Sequence, residues 1–221
     1  AEELILYGTP GFPDNATVVY YNPFQDGNPQ LVSSEVESYL GGNRIRRVFS
    51  GHQPHGQSPT VVRHPISGLL KVTADTSYSF PGADKLFNAA NMRGSVVSVI
   101  RVQGETVEID GVLADGRLHG CTLHRMSQED TMPDMLVGRQ LTDGSWVKTV
   151  IKKPGEERNT VQAVLGKGFN LHTEDMHFGK ACLKLKREFA VEKLATPLSE
   201  VMPDWLKPSA LGSQRTFGPE E

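Results

Sequence analysis

Arg46-Arg47-Val48-Phe49-Ser50-Gly51-His52-Gln53-Pro54-His55-Gly56 is the stretch from which the fold of this chain is read. Arg47 to Phe49 predicts a short buried strand, and the residues after it a loop carrying two histidines. Gly51 and Gly56 give that loop conformations closed to other residues, and Pro54 fixes one φ between the two rings. A loop at the C-terminal end of a strand can aim imidazoles at one point, and imidazole nitrogen is a common metal ligand. The same residues equally suit a polar loop whose histidines hydrogen-bond locally, because two histidines do not complete a metal site.

Working outward, Ser34 opens a helix, with Glu37 completing a capping box and Val36, Tyr39 and Leu40 as its apolar face. Gly41-Gly42 ends it. Upstream, Leu4 to Tyr7 and Thr17 to Tyr21 predict strands, and Phe24 to Pro29 reads as turn chemistry. Downstream, Thr60 to His64 and Leu69 to Ala74 predict strands joined by Pro65-Ile66-Ser67-Gly68, with His64 solvated at a strand end. Asp75, at the end of its strand, either faces the histidine loop or forms a turn with the serine beyond it. Strand, helix and strand in this order fit part of an α/β layered fold.

Arg47 to Ser58, with Thr73-Ala74-Asp75-Thr76-Ser77-Tyr78-Ser79, resembles the last metal motif of the calcineurin-like metallophosphoesterases, in a branch reading GHxPHG and then D-T-S-Y-S. The resemblance also takes in Tyr7-Gly8-Thr9-Pro10, Tyr21-Asn22-Pro23-Phe24 and Gly111-Val112-Leu113-Ala114-Asp115-Gly116, and so spans the first 125 residues or so. It implies two divalent metals of the Mn, Fe or Zn type that clamp a phosphate and supply a hydroxide. It would make His52 and His55 metal ligands, with Asp75 as a further catalytic candidate. None of the family's early motifs, D-x-H, G-D-x-x-D and G-N-H-[DE], precedes the histidine loop in this sequence. Gly41-Gly42-Asn43-Arg44 places an arginine where the third would have its histidine, and His52 and His55 are spaced by three rather than the more usual two. The expectation is therefore the C-terminal part of a phosphoesterase domain, with no cofactor held by this chain alone.

Beyond the histidine loop, Ser95 to Val102, Thr106 to Leu113 and Arg117 to Leu123 predict an antiparallel meander; Asp115-Gly116 is its strongest hairpin signal. His119 and His124 are expected as surface polar residues there. After a linker at Ser127 to Pro133, strands are expected at Leu136 to Gln140, Ser145 to Ile151, Thr160 to Leu165 and Cys182 to Phe189. His172 and His177, with Glu174 and Asp175 between them, resemble a ligand cluster by type but read as an exposed polar turn. The expected fold is α/β: a partial layered sandwich, with a mixed sheet and the meander, over 1–126. A small β-rich domain over 127–195 and an extended Pro-rich tail over 196–221, carrying Trp205 and Phe217, complete it.

The 221 residues can bury a sizeable core, and a net charge of −3 gives no basic footprint for nucleic acid. No apolar run is long enough to span a membrane, so a soluble chain, or one peripheral to a membrane complex, is expected. Cys121 and Cys182 lack metal or redox spacing and are expected as buried thiols in strands. Ala1 stands first. Either a targeting peptide has been removed, which fits an organellar protein, or the chain begins inside a longer one. Two functions follow from the sequence. One is a non-catalytic scaffold subunit docked on other protein subunits or on a missing N-terminal segment. The other is the C-terminal part of an active metal-dependent phosphoesterase whose early motifs lie outside this sequence. Half of a layered sheet exposes apolar surface and an open edge that need a cover, and this favours the scaffold.

Overall fold

Eleven strands, two α-helices and one 3-10 turn make up a sheet-rich fold in the described residues of a computed structural model: 23–78, 85, 90–124, 132–152, 155 and 158–186. The strands expected at Leu4 to Tyr7 and Thr17 to Tyr21, Ser79, and the tail with Trp205 and Phe217 lie outside these residues. Residues up to Lys186 form one compact unit.

The first element is a hairpin, β1 (Phe24–Gln25) with β2 (Asn28–Pro29), where turn chemistry alone was expected. Asp26 and Gly27 both take positive φ, 47° and 76°, which is the two-residue turn that matches strand twist. Helix α1 (Ser34–Gly42) follows, with Ser33 rather than Ser34 as its cap: the Val36 N–H donates to Ser33 Oγ at 3.3 Å. Glu37 therefore falls one position beyond the capping box. It pairs instead with Nδ1 of His64 at 2.7 Å, which corrects the expectation of a solvated His64; that residue is buried. Nor does α1 have a buried face, since Val36 and Tyr39 are both exposed.

A three-stranded mixed sheet comes next. Strand β3 (Arg47–Ser50) runs parallel to β5 (Leu70–Thr73), and β4 (Thr60–Arg63) pairs antiparallel on the other side of β5. β4 and β5 are buried along their whole length, but β3 is at the sheet edge and Phe49 is exposed, contrary to the buried strand expected there.

The larger sheet is a six-stranded antiparallel meander in strict chain order: β6 (Ser98–Gln103), β7 (Thr106–Val112), β8 (Leu118–Leu123), β9 (Trp146–Lys152), β10 (Thr160–Lys167) and β11 (Asn170–His177). The expected three-strand meander is its first half. The boundary expected between residues 126 and 127 runs through the middle of this sheet, because β8 pairs with β9 at Leu118–Lys152 and His119–Ile151. Strand β11 occupies the segment read as a polar turn: full pairing with β10 outweighs the polarity of His172, Glu174 and Asp175. Two expected strands do not form in the described residues. Pro133–Leu136 forms the 3-10 turn, with isolated bridges at Gln140 and Leu141 beyond it. Cys182 lies on α2 (Phe178–Leu183), while residues 187–189 of the second expected strand lie outside the described residues. The alternation from Cys182 to Lys186 that suggested a strand belongs to the end of this helix and its exit.

Val61, Val72, Val107, Ile109, Leu123, Leu136, Val147 and Val161 anchor the core that joins the two sheets. His119, expected on the surface, is 1% exposed and hydrogen-bonded by both ring nitrogens: to Ser98 Oγ and to Thr149 Oγ1, each at 3.0 Å. It fastens β6, β8 and β9 together and is satisfied there, as a buried polar group must be. His124 is exposed, as expected.

Candidate functional site

The loop after β3 carries its two histidines to opposite environments. His52 is exposed and takes a φ of 70°, so the loop's early left-handed position falls on a histidine rather than on Gly51; Gly56, also at φ 70°, closes it. His55 is 4% exposed. Its ring stacks on Phe24 of the first hairpin, with centroids 4.7 Å apart and planes 9° from parallel. Nε2–H donates to the Gly27 carbonyl at 2.7 Å, which fixes the tautomer because a carbonyl only accepts. Nδ1 accepts from Lys148 Nζ at 3.2 Å. Both nitrogens are therefore engaged. Burial, then the nearby Lys148 and Arg93 charges, push the imidazole down to about 3, so it stays neutral.

Lys148 is the residue that sequence reading passed over. It lies in the middle of β9, 5% exposed. The β9–β10 register shifts beside it: Thr149 faces Gln162 and Val147 faces Ala163, which leaves Lys148 as the extra residue of a β-bulge. The bulge sets Lys148 and Thr149 on one face, opposite Val147 and Val150 in the core, and from that face Nζ meets His55. Burial, reinforced by Arg93, brings the amine down to about 7. Its signal in the sequence was a lysine inside Trp146-Val147-Lys148-Thr149-Val150-Ile151, an otherwise apolar and β-branched run.

A cavity of about 120 Å³ opens beside this amine, walled by Gln57, Asn91, Met92, Gln162, Val164 and Leu171 among others. Each of its amides gives one N–H to a protein partner. The Gln57 Nε2 donates to Gln162 Oε1 at 3.4 Å and Gln57 Oε1 accepts from Ala114 N at 3.2 Å. Gln162 Nε2 donates to Asp175 Oδ1 at 3.0 Å, and Asn91 Nδ2 to the Phe169 carbonyl at 3.0 Å. Arg93 stands two residues from Asn91, with its Nε buried and unpartnered.

Asp75 takes the turn-forming role: its Oδ1 accepts from Ser77 N at 2.7 Å, and its charge acts on Arg93. His52, His55 and Asp75 are not gathered into one constellation, and among the described residues no three His, Cys, Asp or Glu side chains converge as metal ligands. The donor chemistry at His55 does not fit a metal ion either. Its one lone pair faces a lysine amine, and its other nitrogen carries the proton that Gly27 accepts. Among the described residues no helix is long and apolar enough to cross a membrane. Comparison with known proteins finds no matching family model, no matching curated protein and no matching solved structure.

Proposed function

We propose that this chain is a non-catalytic, scaffold-type subunit of calcineurin-like phosphoesterase descent, docked on another protein subunit in a larger assembly. The observation that carries the reading is the use made of His55. In the resembling family this position belongs to metal chemistry. In this chain the ring packs on Phe24, bonds to Gly27 and takes a lysine amine at its remaining nitrogen. A cationic side chain placed there repels a metal cation and fills the role of a charge in the loop, so the GHxPHG stretch serves to pin the first hairpin to the large sheet.

Docking is supported by apolar surface on the meander. Val99, Val112 and Leu118 are each nearly half exposed and, by strand alternation, lie on one face of β6, β7 and β8, with Val112 directly opposite Leu118. Val97, also exposed, immediately precedes β6, which is an edge strand. Single exposed apolar residues are ordinary; here they alternate with the ion-paired Asp110, Arg101 and Lys152 on the same face, and such a mixed surface beside an edge strand suits a protein partner.

The test uses the full chain. Metal content after purification in the presence of manganese, iron and zinc, and turnover of a generic phosphate ester with added manganese, are both expected to be nil. Turnover that His52→Ala abolishes would overturn the scaffold reading and favour an active phosphoesterase.

A further inference from the structure

We propose that the cavity beside Lys148 binds a small carboxylate anion, with Lys148 Nζ as its cationic anchor and the ligand's short apolar tail against Val164, Leu171 and Met92. The site needs no part of the phosphoesterase resemblance: Gly56 and Gln57 of that motif line the cavity, but the anchor Lys148 and the apolar wall of Met92, Val164 and Leu171 lie outside it.

The first support is an unbalanced charge. A buried ammonium is normally paired, since an isolated one in a low-dielectric interior is costly. Lys148 is 5% exposed, and its only hydrogen-bond partner among the described residues is the neutral His55 ring. Three N–H groups belong to the charged amine and one is used. The charge that acts on Lys148 is that of Arg93, which is also positive and has a buried Nε with no acceptor. Asp75 offsets the Arg93 charge, but among the described residues no carboxylate bonds to Lys148, and Asp175, bonded to the wall's Gln162, is paired with Arg117.

Local backbone geometry is the second support. The bulge in β9 leaves Lys148 without a partner in the β9–β10 ladder. Val147 pairs with Ala163 and Val150 with Val161 in the core, so Lys148 and Thr149 lie together on the other face, where Gln162 and Val164 line the cavity. Thr149 and Gln162 fix the register on one side of the irregularity and Val147 and Ala163 on the other, so the lysine is held from both ends.

Size and lining choose the ligand. A cavity of about 120 Å³ is a little smaller than one that admits benzene, and suits a carboxylate with about three or four carbons. Phosphate needs several free donors around it. Besides the Lys148 amine, Gln57, Gln162 and Asn91 have each given one amide N–H to a protein partner, and the apolar side of the wall at Met92, Val164 and Leu171 has no donor to set against phosphate oxygens. Of the remaining lining, Ala90, Met92, Val164 and Leu171 are apolar and Thr173 adds one hydroxyl. One amine beside a largely apolar wall matches a carboxylate with a short hydrocarbon tail.

Calorimetric titration of the full chain, just below pH 7, tests this with three probes: butyrate, butyramide and inorganic phosphate. Butyrate is expected to bind one to one, and butyramide and phosphate at least about tenfold more weakly. Lys148→Met keeps the volume of the side chain and removes the charge; it is expected to weaken butyrate by about tenfold or more. Val164→Phe fills the cavity from β10 without altering the amine's charge and is expected to do the same, so the test survives if one variant fails to fold. Butyramide or phosphate binding as well as butyrate, or folded variants of both kinds that bind butyrate as the parent does, would overturn the proposal. So would the absence of any butyrate heat at millimolar concentration.

Discussion

Replacing Lys148 by methionine should make this protein more stable at neutral pH and less stable in alkali. In the folded chain, burial holds the amine at about 7 against 10.5 for a free lysine. At about 1.4 kcal/mol per unit, the interior charges the fold up to roughly 5 kcal/mol at pH 7 and below. Methionine removes that cost. It also leaves His55 Nδ1 buried with no donor, at about 1–3 kcal/mol. The net expectation at pH 7 is a variant about 2–4 kcal/mol more stable than the parent. Between pH 7 and 10.5 the unfolded lysine holds a proton that the folded one has released. The parent's stability therefore rises with pH across that window, and the variant's advantage shrinks. By about pH 10 the lost hydrogen bond decides, and the order reverses. Urea titrations followed by far-ultraviolet circular dichroism at pH 7 and pH 10 measure both ends. A methionine variant less stable than the parent at pH 7, or an advantage unchanged at pH 10, would refute the reasoning.

Acid should destabilise the fold through His55 and His119, which burial pushes down to about 3 and about 4 from 6.5. Both are neutral when folded, so their contribution is complete above pH 6.5 and is lost as pH falls towards 4 and then 3; a urea midpoint flat from pH 7 to 4 would contradict this. Gly166→Ala would drive a methyl group into the Gly27 carbonyl and should cost about 1–3 kcal/mol in a thermal melt, whereas Gly41→Ala on α1 meets no atom within 4 Å and should gain about 0.5–1 kcal/mol. Cys121 is wholly buried and its thiol is pushed up to about 12, while Cys182 is half-buried on α2. A disulfide reagent should therefore label Cys182 first and reach Cys121 only as the chain unfolds.

Much of the strand pattern was legible because period-two alternation and Asp-Gly turns act locally. Thr106 to Val112 and Leu118 to Leu123 are cases in point, as is the run from Trp146. Strand β11 was not, because its polar side chains are set by solvent on one side while its backbone is fixed by β10. His119 and His64 were misplaced for a related reason: their burial depends on Ser98, Thr149 and Glu37, partners that are 21, 30 and 27 residues away in sequence. The histidine loop advertised His52 and His55 as a pair, but the residue His55 meets is Lys148, 93 positions later. A bulge that leaves one lysine unpaired in the ladder has no local signature beyond a charge in an apolar run. It is a property of the register between two strands.

The hairpin of β1 and β2 has a partner that the ribosome makes late. The Asn28 side chain acts as a strand edge for Gly166, donating Nδ2 to its carbonyl at 2.9 Å and accepting its N–H at 2.7 Å, while Asp26 takes the Gly168 N–H at 3.0 Å. These contacts close a loop of roughly 140 residues, whereas each strand of the large meander pairs with its neighbour in sequence. Loop-closure entropy and contact order then set an order of assembly: meander hairpins early, the first hairpin with His55 late. During synthesis, the Phe24 ring and the His55 loop must wait in water until β10 has left the ribosome. For that interval the sheet surface they will cover is open, and a chaperone or a docking partner has its opportunity before the chain's own beginning returns to close it.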